Sequence, residues 1–269
     1  MERERLYRTE AIILRRSDFG EADRLLTILT PEFGKLRVLA KGVRKIRSRK
    51  AGHLERFMRT SLLLARGREL DLISQAEVIA SHPHLREDLA RSTMAHYVAE
   101  LAEIFAPEGE ESRALYRLLA ETLDRLDAEA DPQRALRYYE LHLLELAGFR
   151  PQVEFCVGCG EPLREERGPY GFASERGGVL CPRCAPRFPT ACPLSRRALK
   201  GMRFILRSSY PAFRAAPFSL PTLQELGEVV GRYLLTIMER RPRSLAFLSE
   251  LTRAVLEAGH PGEREPGGA

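Results

Sequence analysis

Two short motifs restrict what this chain can fold into more than any other feature: Cys156-Val157-Gly158-Cys159 and Cys181-Pro182-Arg183-Cys184. A C-x-x-C turn lets two thiolates reach one ion from a single tight loop. Two such turns complete a tetrahedral four-sulfur shell. The 21 residues between them slightly exceed the common ribbon spacer of about 15–20. Gly158, Gly160 and Pro182 suit the sharp turns, and Gly171, Gly177 and Gly178 suit a hairpin across the gap. The pattern predicts one structural Zn2+ on Cys156, Cys159, Cys181 and Cys184, with an iron–sulfur cluster as the alternative that four cysteines also serve. Four protein ligands leave no coordination position open for catalysis. The fifth cysteine, Cys192, adds nothing to the set and reads as a buried thiol.

Five cysteines in 269 residues exclude a disulfide-dense secreted scaffold. With 44% hydrophobic residues a packed core is within reach. No run approaches the roughly 18 apolar residues of a membrane span, and Met1-Glu2-Arg3-Glu4-Arg5 does not read as a signal peptide. The expectation is a soluble, cytoplasmic globular protein with no membrane partner.

The net charge of +6 is unevenly placed. Residues 1–80 hold 18 Lys and Arg against 11 Asp and Glu, whereas the remainder holds 25 against 26. Residues 35–59 carry ten basic residues and one acid, Glu55. A solvated surface loop is the plain reading of such a run. Self-repulsion on this scale is relieved by a polyanion, which favours nucleic-acid phosphate. The candidate contacts are Lys35, Arg37, Lys41, Arg44, Lys45, Arg47, Arg49 and Lys50. Aromatic residues are sparse here (Tyr7, Phe19, Phe33 and Phe57) and the chain has no tryptophan, which predicts backbone binding with little base preference.

The chain divides into parts of different periodicity. Residues 1–80 read as five short strands with glycine turns, an α+β organisation opening on a small barrel of OB type; strand counting leaves an SH3-like barrel open. The basic segment 41–56 falls between the third and fourth strands. Residues 81–150 read as the first part of an all-α helical body. Leu85, Leu89, Tyr97, Leu101, Ile104 and Phe105 form one stripe, and Leu115 to Leu126 a second. A third helix starts at Asp131-Pro132 and stops at Gly148. Residues 151–193 form the inserted cysteine module. Residues 194–258 return to helix, with Ser195, Pro221 and Ser244 at the starts. Residues 259–269 read as a disordered tail.

Catalytic motifs are missing: there is no phosphate-binding G-x-x-x-x-G-K-[ST], no G-x-S-x-G and no H-E-x-x-H. Asp18, Glu21 and Asp23 would suit a magnesium-dependent nuclease, or salt bridges to Arg15, Arg16 and Arg24. His82-Pro83-His84 reads as a hinge between barrel and helices. A zinc-ribbon protein that binds RNA or associates with ribosomes shares this phosphate chemistry.

Several stretches together resemble a known family. Thr9-Glu10-Ala11-Ile12-Ile13-Leu14, Gly20-Glu21-Ala22-Asp23-Arg24, Thr30-Pro31-Glu32-Phe33-Gly34-Lys35 and Ala40-Lys41-Gly42-Val43-Arg44-Lys45 look like the opening of the bacterial recombination mediator family RecO. Tyr97-Val98-Ala99-Glu100-Leu101, the cysteine knuckles and Ser244-Leu245-Ala246-Phe247-Leu248 fit the same family, in its zinc-bearing branch. The resemblance implies an OB barrel, a protein that is not an enzyme, binding of single- and double-stranded DNA, and annealing of complementary strands in DNA repair at the nucleoid. It also implies partners: RecR, the acidic tail of single-strand-binding protein, and, indirectly, RecA. Arg197, Lys200 and Arg203 are candidates for that acidic peptide.

Overall fold

The computed structural model describes residues 5–45, 48, 50–164, 169–238 and 244. Five strands, β1 (Leu6–Phe19), β2 (Asp23–Thr30), β3 (Gly34–Ala40), β4 (Arg59–Ala65) and β5 (Asp71–Ala80), close into a barrel in the order β1-β2-β3-β5-β4. Four pairings are antiparallel. The parallel one joins β3 to β5 through Val38 with Asp71 and Leu39 with Leu72. This Greek-key order is that of an OB fold, not of an SH3-like barrel.

The run Ala11-Ile12-Ile13-Leu14 explains itself in three dimensions. Successive strand side chains point to opposite faces. Ala11 and Ile13 fill the barrel with Leu26, Ile28, Val38, Leu62, Leu64 and Ile73. Ile12 and Leu14 point outward, yet are buried against the helical body. A strand covered on both faces loses the alternation of a half-exposed one. β1 runs on to Phe19, with a register shift between Ile13 and Arg15 that bends it around the barrel.

The basic connection after β3 is anchored at both ends, because Val43 and Leu54 are buried in the barrel interior. A 3-10 turn, Ala51–His53, interrupts it.

The helical body comprises α1 (His84–Glu87), α2 (Leu89–Phe105), α3 (Arg113–Ala128), α4 (Pro132–Leu146), α5 (Arg196–Arg207), α6 (Tyr210–Ala215) and α7 (Leu220–Ile237). The capping residues behave as their chemistry predicts. Asp88 accepts from the Arg91 amide at 2.9 Å, Asp131 from Gln133 at 3.2 Å, and Ser195 from Ala198 at 3.0 Å. Leu89, expected in the core stripe, is 64% exposed, because it lies in the first turn of α2, before the helix meets the core. The short α6 has no sequence periodicity long enough to reveal it. Of the helix expected after Ser244, Ser244 is described: its amide and hydroxyl both donate to Glu100, at 3.0 and 2.7 Å. The rest of that helix, and the tail expected at 259–269, lie outside the described residues.

The cysteine module is built on β6 (Tyr170–Ala173), β7 (Gly178–Leu180) and β8 (Cys192–Leu194), in the order β7-β6-β8. The hairpin expected in the gap is β6–β7. Module and helices share one hydrophobic core: Phe172, Val179 and Leu180 are buried together with Val230, Tyr233 and Leu234 of α7.

Two of the contacts that fasten barrel to body stand out. Gly34 turns the chain at φ 56°, and a Cβ there would lie 2.5 Å from the Pro107 and Glu110 carbonyl oxygens. Only glycine lets the β2–β3 turn press so close to the α2–α3 loop, where the Lys35 amide donates to Pro107 at 2.9 Å. The second fastener is His82. Its Nδ1 lies 2.8 Å from the Phe57 carbonyl and its Nε2 2.8 Å from Asp124 of α3. The His-Pro-His segment, expected as a hinge, is pinned on both sides.

Candidate metal centre and nucleic-acid interface

The four knuckle cysteines converge, with all their Sγ atoms within 4.8 Å of one another. A tetrahedral zinc shell with sulfur at about 2.3 Å requires S···S separations of ~3.8 Å. Cys159 and Cys181 stand at 4.0 Å. The first knuckle is laid against β7 by the Val157 amide, which donates to the Val179 carbonyl at 3.0 Å. The second follows β7 directly, with the Cys184 amide donating to the Cys181 carbonyl at 2.9 Å. Gly158 keeps the meeting point close, since a Cβ there would lie a tight 3.1 Å from Cys184 Cβ and 3.0 Å from Leu180.

The electrostatics favour thiolates around a cation. Burial pushes the Cys156 thiol up, but amides of Cys181, Cys159 and Gly158 directed at its sulfur outweigh this and bring it down to about 6. Cys184 is pushed up to about 12 by burial and by the three neighbouring thiols. Four sulfurs this close cannot all ionise by themselves, and a divalent ion removes the conflict. The donor set therefore fits a metal held by Cys156, Cys159, Cys181 and Cys184. Among the described residues no other group of three or more His, Cys, Asp or Glu is placed to share an ion. Cys192 is apart from the set, buried in β8, where its sulfur accepts from Arg232 at 3.4 Å.

The cations expected on the barrel have different fates. Arg37, Lys41 and Lys45 are exposed and make no ion pair among the described residues. Arg44 is exposed and stands 3.6 Å from Asp18. Lys35 instead reaches the helical body, donating to the Glu103 carbonyl at 3.0 Å and pairing with Glu108 at 3.4 Å. Lys50 donates to the Ile73 carbonyl at 2.9 Å. Arg47 and Arg49 lie outside the described residues. The cross-strand register adds Arg15, which shares Thr27 as a neighbour with Arg37 and is paired to Glu103 of α2 at 3.0 Å. Of the aromatics, Phe19 is half exposed, Phe57 is buried, and Tyr7 packs edge-on against Phe33 at 5.0 Å.

A family model described as Recombination protein O N terminal matches residues 1–82, and one described as Recombination protein O C terminal matches residues 86–246. The chain belongs to the RecO family. Among curated RecO relatives, the DNA repair protein RecO of Roseiflexus sp. (strain RS-1) is 44% identical over 259 residues, which is 96% of this chain and 90% of that one. The DNA repair protein RecO of Desulforudis audaxviator is 39% identical, covering 91% of this chain and 97% of its own. That of Dehalococcoides mccartyi (strain ATCC BAA-2266 / KCTC 15142 / 195) is 36% identical, covering 93% and 98%.

In this RecO chain the other candidates are placed as follows. Arg197 and Lys200 are exposed on α5. Arg203 turns inward and clasps the cysteine module, its Nε donating to the Val153 carbonyl at 2.8 Å and its Nη2 to that of Leu163 at 2.9 Å. Asp18 pairs with Arg24 at 3.4 Å, and Asp23 accepts from the Gly42 amide at 2.7 Å, so both brace the β1–β2 end of the barrel. Sequence reasoning missed the buried Arg137–Glu140 pair of α4, at 3.0 Å, which the Tyr97 hydroxyl completes at 3.0 Å. The i,i+3 spacing was visible, but nothing in it announced burial.

Proposed function

We propose that this protein is a DNA-binding recombination mediator of DNA repair. In this reading it binds single- and double-stranded DNA, anneals complementary strands, and works with RecR to help load RecA onto DNA coated with single-strand-binding protein. It acts by binding, without catalytic turnover, in the cytoplasm at the nucleoid. The single observation that carries the reading is that RecO N- and C-terminal models together span the chain, whose near full-length relatives are named DNA repair protein RecO.

The physical account is electrostatic. Arg37, Lys41, Arg44 and Lys45, joined by Arg47 and Arg49, would neutralise phosphates and release counterions. Two complementary strands repel each other through those same phosphates. A protein that neutralises both without gripping the bases lets them pair. One Zn2+ on the four cysteines supplies structure and no reaction step. Arg197 and Lys200 would receive the acidic tail of single-strand-binding protein, without Arg203, whose guanidinium already holds the module.

The test is an annealing assay on strands coated with single-strand-binding protein, with and without RecR. Acceleration that grows with RecR is expected. Charge reversal at Lys41, Arg44 and Lys45 should slow it for every sequence alike. No acceleration of annealing by the wild-type chain would overturn the reading, and magnesium-dependent cleavage lost in Asp23→Asn would replace it with a nuclease.

A further inference from the structure

A cleft of about 590 Å3 opens where the barrel meets the helical body, and no part of the proposed mechanism uses it. Its walls come from three places: Arg16 at the end of β1, Arg56 just before β4, and Arg86 of α1, with His96 of α2 at the back. Arg24 completes a set of four guanidinium groups facing two carboxylates, Asp18 and Glu55. Both carboxylates are already engaged. Glu55 pairs with Arg16 and stands 3.4 Å from Arg24, while Asp18 is shared between Arg24 and Arg44.

Arg56 and Arg86 are left over. Arg86 spends one nitrogen on the Ser81 carbonyl, at 2.7 Å. Arg56 makes no ion pair among the described residues, and its Nε is buried without a hydrogen-bond partner. Burial and the neighbouring Arg16 and Arg15 depress its pKa, with Glu55 opposing, as happens where positive charge exceeds its local compensation. The backbone turns at Phe57 through φ 67°, a conformation uncommon outside glycine. That turn buries the Phe57 ring in the core and leaves Arg56 in the cleft wall. Arg56 is half-buried, and a guanidinium whose buried Nε–H lacks a partner is completed best by an anion.

The cleft has the size of a small-ligand pocket. Its volume suits a short length of single-strand backbone. Among the described residues, the only ring besides His96 in its lining is Phe57, which is buried and meets His96 in a T-shaped contact with ring centres 4.8 Å apart. The site suits phosphate and not a base. Asp18 also connects the cleft to the cationic connection, since it touches Arg24 on one side and Arg44 on the other.

We propose that the cleft receives a phosphodiester group of bound single-stranded DNA, so that a strand leaving Arg44 passes Arg24 and Arg16 and crosses onto the helical body at Arg56 and Arg86. This rests on the DNA-binding reading and specifies the path of the strand.

The experiment uses the full metal-loaded chain, an oligothymidylate long enough to span both surfaces, and Arg86→Gln, Arg56→Gln/Arg86→Gln and Lys41→Gln/Lys45→Gln. Arg86 is exposed, so its single variant is informative even if the double variant folds poorly. Each guanidinium removed from the cleft should lower affinity about tenfold. It should also reduce the slope of log affinity against log salt by about 0.7. Oligothymidylate should raise the His96 pKa, followed by NMR, in the wild type and not in the double variant. If Arg86→Gln keeps the wild-type slope while Lys41→Gln/Lys45→Gln loses it, the strand stays on the barrel. The cleft proposal then fails and DNA binding stands. If adenosine monophosphate moves His96 as far as oligothymidylate at equal phosphate concentration, the cleft is a free-nucleotide pocket and the strand path is overturned. Absence of salt-dependent binding by the wild type would overturn the functional reading itself.

Discussion

Glu140 is 1% exposed in the middle of α4. Burial raises its pKa, while Arg137 and the Tyr97 hydroxyl pull it back. A buried pair of this kind adds little net stability, but removing one partner strands the other charge. Arg137→Met should therefore cost about 3–5 kcal/mol in urea unfolding, and Arg137→Met/Glu140→Met should recover most of it. Equal losses in the single and double variants would show that the cost lies in packing. The cysteines make a comparable case. Cys184→Ala should release the bound ion, read by elemental analysis as one equivalent in the wild type and none in the variant, and should lower the melting temperature. A Cys184→Ala chain that melts like the wild type would deny the metal a structural role. The convergence of these four cysteines was readable from spacing because a C-x-x-C turn is a local constraint. Arg137, Glu140 and Tyr97 were not, because α2 and α4 must pack before the three meet.

At the level of elements, the His82–Asp124 contact ties the barrel's exit to α3. The hydrogen bond from His82 is the main cause holding the Asp124 carboxyl below its ordinary value, with burial opposing it. A carboxylate whose pKa falls on folding contributes stability above its unfolded pKa, near 4. That contribution is lost as pH drops through the lower folded value. Acid unfolding of the wild type should thus steepen below about pH 4. Asp124→Asn should remove that portion of the pH dependence, and an unchanged acid profile would place the stabilisation elsewhere. The elements themselves were largely legible. Asp131 and Ser195 cap where their chemistry says, and glycine turns separate the strands of the barrel. What escaped was set by tertiary packing: the exposure of Leu89, the six-residue α6, and the pinning of a segment whose proline and two histidines suggested a hinge.

For the whole molecule, the charge imbalance between residues 1–80 and the rest translates into a measurable salt response. Lys35 and Lys50 are committed to internal carbonyls, which leaves about six of the eight expected contacts for phosphate. Single-strand affinity should fall roughly 10²–10³-fold between about 50 and 200 mM salt, equally for different base sequences. A salt-insensitive or strongly sequence-dependent affinity would mean that bases are read directly. Composition made the basic segment visible, but it could not separate lysines that project from lysines that turn back to cap a carbonyl.

β1 also has a practical consequence for anyone dissecting this protein. Ile12, Leu14, Leu29 and Phe57 belong to the core shared with the helices, and leaving them bare would cost roughly 6–12 kcal/mol. A fragment cut after the fifth strand would inherit a greasy flank with nothing to cover it. Such a truncation should precipitate or self-associate, so grafting this barrel onto another scaffold requires those four outward positions to be repainted with polar side chains first.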